Sequence, residues 1–428
     1  MIKSAVFSFI LLLWAGLCRA DTFTHLKTGE TFDGYATNIR KGQRTLVRVS
    51  AGKANRPRYV DLGDYNVQWN FQGRKEQLVV LPVTETIAVS GEVEAFEREI
   101  DLAANRGPLL IIVEIDVPGG RAGLARRMCN AITATGNCRT VAFISGGENG
   151  GAYSAGALIA LACDRIFIAN DAAMGAVTTV IASAMGLEDP KSVYGETVGE
   201  KMISADRAYI AAICQRNNRP ALLAKAMVDR ELEVLEVVED GNSVFVTPSE
   251  RKDGRSVVRV WSKRGSLLTL TASEAVQTGM ADAIAGSVEQ IAAHYKLKDP
   301  PVFYSTAMAD ARLRFENAEL RLQEIYGEID FLKQESESLR SRVVWMTREY
   351  NRLNSNDIWN RGILMRDIAA ARDRVILDLL TVLDNLIFNY RAVLALKVDF
   401  PDLPVERTAV EDEINSVQVL YRRMQLAR

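Results

Sequence analysis

Histidine is almost missing from this sequence. Its 428 residues include only His25 and His294, so a hydroxyl or thiol nucleophile has few ways to find an imidazole base, and a histidine-built metal site has none. An excess of one charge is missing too. The formal net charge of −2 gives no electrostatic ground for a nucleic-acid partner. Cysteine is sparse, with five in all. The four beyond residue 20, Cys129, Cys138, Cys163 and Cys214, show neither a CxxC pair nor the density of a disulfide framework. A Cys129–Cys138 bridge stays open, whereas Cys163 lies in an apolar run and reads as a small core residue. Neither a metal nor a cofactor is expected. Long hydrophobic runs are also lacking after the N-terminus, since no later segment reaches ~18 uncharged apolar residues. Val375 to Tyr390 comes nearest, and Asp378 and Asp384 interrupt it.

What is present is the composition of a well-cored protein, 48% apolar and 25% charged, in a chain long enough for roughly two or three domains. Residues 1–20 read as a secretory signal peptide: Lys3, the apolar run Ala5 to Ala15, then Cys18-Arg19-Ala20 as a small-x-small cleavage site. A periplasmic or secreted protein is the expectation, with an uncleaved membrane anchor as the alternative. Leu17 argues against a lipid anchor on Cys18.

Residues 21–75 carry short alternating runs, at Thr28 to Glu30, Phe32 to Gly34, Leu46 to Val49 and Val67 to Trp69, and predict a small β-barrel-like module. A spacer or docking role is its default. From 76 to 298 the rhythm becomes strand then helix. Strands are expected at Leu78 to Val83, Leu109 to Ile115, Thr140 to Ile144 and Arg165 to Ala169. Helices are expected at Val93 to Ala104, Leu124 to Thr135 and Tyr153 to Leu161. Such alternation is the signature of an α/β parallel sheet. A β-hairpin insertion of Ser243 to Val246 with Val257 to Trp261 is expected within 235–265, followed by a helix from Leu270 capped by Thr271 or Ser273.

Residues 306–428 read as a helical coiled-coil region after Asp299-Pro300-Pro301. Heptad a positions fall at Phe315, Leu322, Ile329, Ser336, Val343 and Tyr350, and d positions at Ala311, Ala318, Ile325, Leu332, Leu339, Met346 and Leu353. Ile363 to Lys397 carries a second stripe, and Glu406 to Met424 a last amphipathic helix. The seam fits a homo-oligomer or a protein partner; an intramolecular helical bundle explains it equally.

Three pieces carry candidate chemistry. Gly150-Gly151-Ala152-Tyr153-Ser154-Ala155-Gly156 puts a hydroxyl at a strand-to-helix junction. There, free N–H groups and the helix dipole favour developing negative charge. Such a serine is also commonly a packing residue or a helix cap. Asp116-Val117-Pro118-Gly119-Gly120 ends a parallel strand, where ligands bind in open sheets, so Gly119 or Gly120 could give one oxyanion donor and Ala155 the other. An ordinary tight turn is the competing reading. With histidine scarce, a lysine of lowered pKa can serve as base. Lys201 opens a helix striped by Ile203, Tyr209, Ile210 and Ile213, and Lys191 and Lys225 compete with it.

Taken in order, these pieces resemble the ClpP/crotonase superfamily over residues ~77–298, most closely serine proteases of the NfeD and signal peptide peptidase A type. Met174-Gly175-Ala176, and Leu268-Thr269-Leu270-Thr271-Ala272 with Glu274-Ala275 and Gly279-Met280-Ala281-Asp282, complete the series. The resemblance implies Ser154 as nucleophile, Lys201 as general base and an oxyanion hole including the Pro-Gly-Gly turn. Two departures are visible: Tyr153 stands where many relatives carry Ala, and Ser204-Ala205 where they carry Asn-Asp. Relatives also continue into membrane helices and a small barrel domain, which helices replace here. The implied activity is that of an exported Ser-Lys endopeptidase on a polypeptide substrate, membrane-associated or free. The alternative is a catalytically silent ClpP-fold scaffold that organises an envelope complex. Acyl-CoA chemistry, as in crotonases, fits worst, since CoA is cytosolic and no acidic catalytic pair stands out.

Overall fold

The computed structural model describes residues 21–41, 44–49, 57–68, 78–107, 109–136, 138–183, 186–239, 241–252, 255–355 and 361–428. The expected signal peptide, and Trp69, lie outside them. The chain divides into two compact units, one of Met1–Ala88 and Glu92–Ala309 and one of Val89–Gly91 and Asp310–Arg428.

The first unit begins with an antiparallel sheet of β1 (Asp21–His25), β2 (Thr31–Lys41), β3 (Arg44–Val49), β4 (Arg58–Val60) and β5 (Tyr65–Gln68), in the order β4-β3-β2-β1-β5. Phe23, Ala36, Val47 and Val60 are its buried core, and Phe23 stacks on Phe32 with ring centroids 4.9 Å apart. Thr28 to Glu30, expected as a strand, is the turn joining β1 to β2, where Gly29 takes φ 70°.

A six-stranded parallel sheet follows. It is built from β6 (Leu78–Val83), β7 (Leu110–Ile115), β8 (Arg139–Ile144), β10 (Arg165–Ile168), β18 (Ala283–Ile284) and β19 (Val302–Tyr304), in the order β18-β10-β8-β7-β6-β19. Alternation explains why its strands are apolar throughout. Val79, Leu81, Ile111, Val113 and Ile144 join the main core, while Leu78, Val80, Leu110, Ile112 and Phe143 point the other way. Helices α1 (Ser90–Arg106) and α2 (Ala122–Ala134) are the crossovers after β6 and β7. The edge strand β19 was not anticipated, because only three residues separate Pro301 from the following loop.

A smaller sheet of β9 (Gly151–Tyr153), β11 (Ala173–Gly175) and β17 (Thr269–Thr271) lies at the carboxyl ends of the long strands. It leads directly into α3 (Ala155–Ala162), all eight residues of which are buried. The short strands β12 (Ile181–Ser183) and β13 (Gly186–Glu188), then α4 (Pro190–Tyr194), lead to α5 (Glu196–Arg216) and α6 (Ala221–Val228).

The insertion is a three-stranded sheet rather than a two-stranded hairpin. β14 (Val234–Glu239) is central and pairs with both β15 (Asn242–Val246) and β16 (Val257–Ser262). Helix α7 (Ala272–Gln277) carries a full capping box of Thr271 and Glu274, so Thr271 is the cap. Helix α8 (Val288–His294) closes the second face of the main sheet.

The second unit is three helices: α9 (Ala307–Ser355), α10 (Arg361–Asp399) and α11 (Arg407–Ala427). The heptad seam is satisfied within the chain. Ala318, Leu322, Ile325, Ile329, Leu339 and Val343 bury against Val375, Leu379, Leu386, Val393, Val410 and Ile414. Phe315 meets Phe400 at 6.4 Å, and the Arg372 guanidinium lies 6.0 Å from the Tyr350 ring, so α9 and α10 run antiparallel. This seam is therefore an internal one. Among the described residues, α10 is the one helix long and apolar enough to cross a membrane, and its inward stripe is part of this core.

Candidate active site

The site forms where the six-stranded sheet meets the smaller sheet of β9, β11 and β17. Beyond β7 the backbone pairs once more, at Val117 with Ala152: the Val117 N–H donates to Gly151 O at 2.8 Å and the Tyr153 N–H to Val117 O at 2.9 Å. Pro118-Gly119-Gly120 then passes along Ile87, whose N–H donates to Gly119 O at 3.1 Å. A Cβ on Gly120 would lie 2.6 Å from Ile87 Cβ, so only glycine lets the two segments approach. The turn that faces Ser154 is thus fixed from both sides.

Asp116 holds the second half. This buried carboxylate accepts the Gly151 N–H on one oxygen at 3.0 Å and the Asn149 N–H on the other at 2.9 Å. The Asn149 side chain returns the tie, donating to Asp116 O at 2.9 Å and Thr84 O at 3.2 Å. The glycine-rich turn before Ser154 is therefore wired to the end of β7. Sequence reading singled out the Asp116 segment but not this role. The signal available was a lone aspartate at a strand end, which has many uses.

Ser154 is the N-cap residue of α3 with φ 51° and ψ −112°, outside the usual regions for a side-chain-bearing residue. Its N–H donates to Gly175 O at 3.0 Å, and its carbonyl accepts from Leu158 N at 3.1 Å. Its hydroxyl makes no capping bond and has no hydrogen-bond partner among the described residues. Backbone strain of this kind costs about 1–3 kcal/mol and persists only where surrounding structure imposes it. Gly119 is the nearer of the two candidate oxyanion glycines: a Cβ there would stand 3.6 Å from Ser154 Cβ and 3.9 Å from its hydroxyl oxygen. The N–H of Ala155, at the first turn of α3, is left without an intrahelical acceptor. Gly119, Gly120, Ser154 and Ala155 all line one cleft of about 580 Å³.

Ile87, Leu158, Val177 and Ile210 give the cleft an apolar lining, and Arg126, Thr179, Asp206 and Tyr209 a polar one. There Arg126 forms an ion pair with Asp206, Thr179 Oγ1 donates to Asp206 at 2.6 Å, and the Arg126 guanidinium lies 4.9 Å from the Tyr209 ring. Burial pushes the Tyr209 phenol up to about 12. Sequence reading placed Tyr209 on an apolar stripe and missed Arg126, Asp206 and Thr179, residues from three separate elements.

Lysine is not brought to the serine. Lys201 is exposed and does not line the cleft. Helix α5 turns Gly199, Ile203, Ile210 and Ile213 inward, and Asp206, Tyr209 and Ile210 toward the cleft. At 3.6 residues per turn, Lys201 points about 140° away from Asp206. Lys191 donates to Glu196 at 2.8 Å and lies 3.0 Å from Glu200, and these hydrogen bonds hold its ammonium above the usual lysine range, the reverse of what a base needs. Lys225 lies on α6, outside the cleft lining. His25 accepts the Lys27 and Thr28 N–H groups in the N-terminal sheet, and His294 packs on Phe167 at 5.0 Å. The four cysteines among the described residues are free and buried, so the Cys129–Cys138 bridge does not form. Ser204 and Ala205 are exposed on α5.

A parallel sheet with a smaller sheet across its strand ends, and a serine between a glycine turn and a helix start, give this unit an α/β fold similar to the ClpP/crotonase class. Residues 77–258 match the NfeD1b N-terminal domain family. The chain is 26% identical over 225 residues to the membrane protein NfeD1b of Bacillus subtilis (strain 168), covering 53% of this chain and 42% of that one. It thus spans about two-fifths of the length of that curated relative. Among solved structures it is similar to a membrane protease, 1510-N, specific for a stomatin homolog from Pyrococcus horikoshii, at 18% identity and TM-score 0.34, covering 54% of this chain and 92% of that one. A mutant of the 1510-N stomatin-specific protease in complex with a substrate peptide matches at 19% identity and TM-score 0.40, with the same coverages.

Proposed function

We propose that this chain is a serine endopeptidase with Ser154 as nucleophile. The observation that carries the reading is the strained backbone of Ser154, which presents an unpartnered hydroxyl beside Gly119 at the start of a buried helix. In this reading Ser154 Oγ attacks a peptide carbonyl in the cleft. The N–H groups of Gly119 and Ala155, with Gly120 adjoining, receive the developing oxyanion, an effect worth about 3–4 kcal/mol per donor in related chemistry. The proton from Ser154 goes to a base and returns to the leaving amine. Lys201 is the proposed base, and its position requires the start of α5 to rearrange before the amine reaches the serine. Export through a cleaved signal belongs to the same proposal, as does a polypeptide substrate, which the peptide-bound relative supports.

One observation favours a second reading. Among the described residues, the ionisable side chains lining the cleft are Arg121, Arg126, Asp206 and Tyr209, with no lysine or histidine. A cleft with a nucleophile and no base does not cut, which favours the alternative of a catalytically inactive ClpP-fold scaffold organising an envelope protein complex through its coiled coil.

Full-length protein incubated with an unfolded polypeptide separates the readings, with Ser154→Ala and Lys201→Ala in parallel. Cleavage lost in both variants supports the dyad. Cleavage lost only in Ser154→Ala keeps the nucleophile and removes Lys201. Folded wild-type protein that leaves the polypeptide intact favours the scaffold.

A further inference from the structure

Helix α9 has a second apolar stripe, on the face opposite the internal seam. Leu313, Leu320, Phe331 and Trp345 are 57%, 58%, 66% and 63% exposed. At 100° per residue they fall within about 40° of one another, and Gly327 and Ser338, both exposed, complete the row. The six positions mirror one another around Ile329, with steps of seven, seven, four, seven and seven residues. Turned end for end, the row sets Leu313 against Trp345, Leu320 against Ser338 and Gly327 against Phe331. Each bulky side chain then meets a smaller one.

Gly327 supports this independently. A glycine inside a helix costs about 1 kcal/mol relative to alanine. Nothing in the chain lies within 4 Å of a Cβ built on it, so no contact within the fold requires it. The flanking charges have the same polarity. In the reversed arrangement Glu316 comes level with Arg342 of a second copy.

We propose that the outer face of α9 is a self-docking surface on which two copies of this chain pair antiparallel, with Phe331 of each seated over Gly327 of the other. The contact is isologous, so it closes on a dimer and does not propagate. The row from Leu313 to Trp345 is about 48 Å long at 1.5 Å per residue. A strip that long and about 10 Å wide buries roughly 1,000 Å² in total, the lower end for a specific interface. This surface is separate from the Ser154 cleft.

Sedimentation of the full chain across about 1–100 μM tests it. Wild type is expected to shift from monomer to dimer, and Phe331→Glu with Trp345→Glu to stay monomeric with unchanged helix content. The decisive variants are Gly327→Phe, Phe331→Gly and the two combined. Each alone is expected to weaken pairing at least tenfold and the combination to restore it, because the swap regenerates the same contact only in this register. Leu320→Cys mixed with Ser338→Cys is expected to yield an intermolecular disulfide. Wild type monomeric at 100 μM overturns the proposal, as does a dimer indifferent to Phe331→Glu or to the swap. A helix face that binds vesicles or another protein while the chain stays monomeric overturns it as well.

Discussion

Gly119 and Ser154 face each other so closely that a side chain on the glycine would begin 3.6 Å from the serine Cβ. The closeness depends on the positive φ of Ser154, which aims Cβ toward the turn, not along the helix. That geometry carries a stability cost, and it is separable from chemistry. Ser154→Gly is expected to stabilise the fold by about 1 kcal/mol, because glycine adopts this backbone without penalty. Ser154→Ala keeps the Cβ and gains nothing, and both variants abolish any peptidase activity. Urea midpoints of the two provide the check. Equal midpoints would show that the backbone is not strained.

Asp116 offers a second prediction. Both of its carboxylate oxygens accept backbone N–H groups of the turn that carries Ser154. Asparagine has one acceptor oxygen in place of two, so Asp116→Asn leaves a buried N–H unpaired. A loss of about 1–3 kcal/mol is expected, together with a fall in kcat greater than any rise in KM, since the nucleophile and not the cleft is displaced. Activity unchanged in a destabilised variant would show that the tie supports the fold alone.

The parallel strands were legible because runs such as Leu78 to Val83 are apolar on both faces, and few other structures bury such a run twice. Ser154 and the Pro-Gly-Gly turn were legible because glycine marks close approaches such as that of Gly120 to Ile87. Proximity to an apolar stripe did not say which way Lys201 faces. That stripe, through Ile203, Ile210 and Ile213, decides which face of α5 turns inward, and Lys201 lies off it. Strand β14 escaped notice because its glutamates, Glu236 and Glu239, interrupt the apolar pattern. Glu236 is satisfied only in three dimensions, by Trp261 Nε1 at 2.8 Å and Ser243 Oγ at 2.6 Å. The heptads of α9 read correctly as a seam, but periodicity does not say whether the partner helix is the next one in the chain.

Acid stability is expected to depend on Asp282. Burial raises its pKa, but the Ile166 N–H, Arg165 and Arg219 together outweigh that and leave it below the usual aspartate value. A carboxylate with a lowered folded pKa stabilises the fold above its unfolded value of about 3.9 and loses that contribution as pH falls through the folded one. Wild-type stability should therefore drop below about pH 4. Asp282→Asn should cost about 3 kcal/mol at pH 7, because the buried Arg219 loses its carboxylate, and it should flatten the acid limb. Chemical denaturation at pH 3, 4 and 7 measures both effects. A parallel decline of variant and wild type would assign the acid limb to other carboxylates.

The cysteines give a prediction that also reports on the N-terminus. Burial pushes the Cys129 and Cys214 thiols up to about 12 and the Cys163 thiol well above its ordinary value. Because the thiolate is the reactive form, the folded chain should resist iodoacetamide at pH 8. After denaturation without reductant, Cys129, Cys138, Cys163 and Cys214 should all alkylate, since none is bridged. Cys18 adds a fifth label if residues 1–20 are retained, and none if they are removed. Mass spectrometry of the labelled chain counts them directly. Fewer than four labels would reveal a disulfide, and rapid labelling of the native chain would mean that the core around α2 and α3 opens readily.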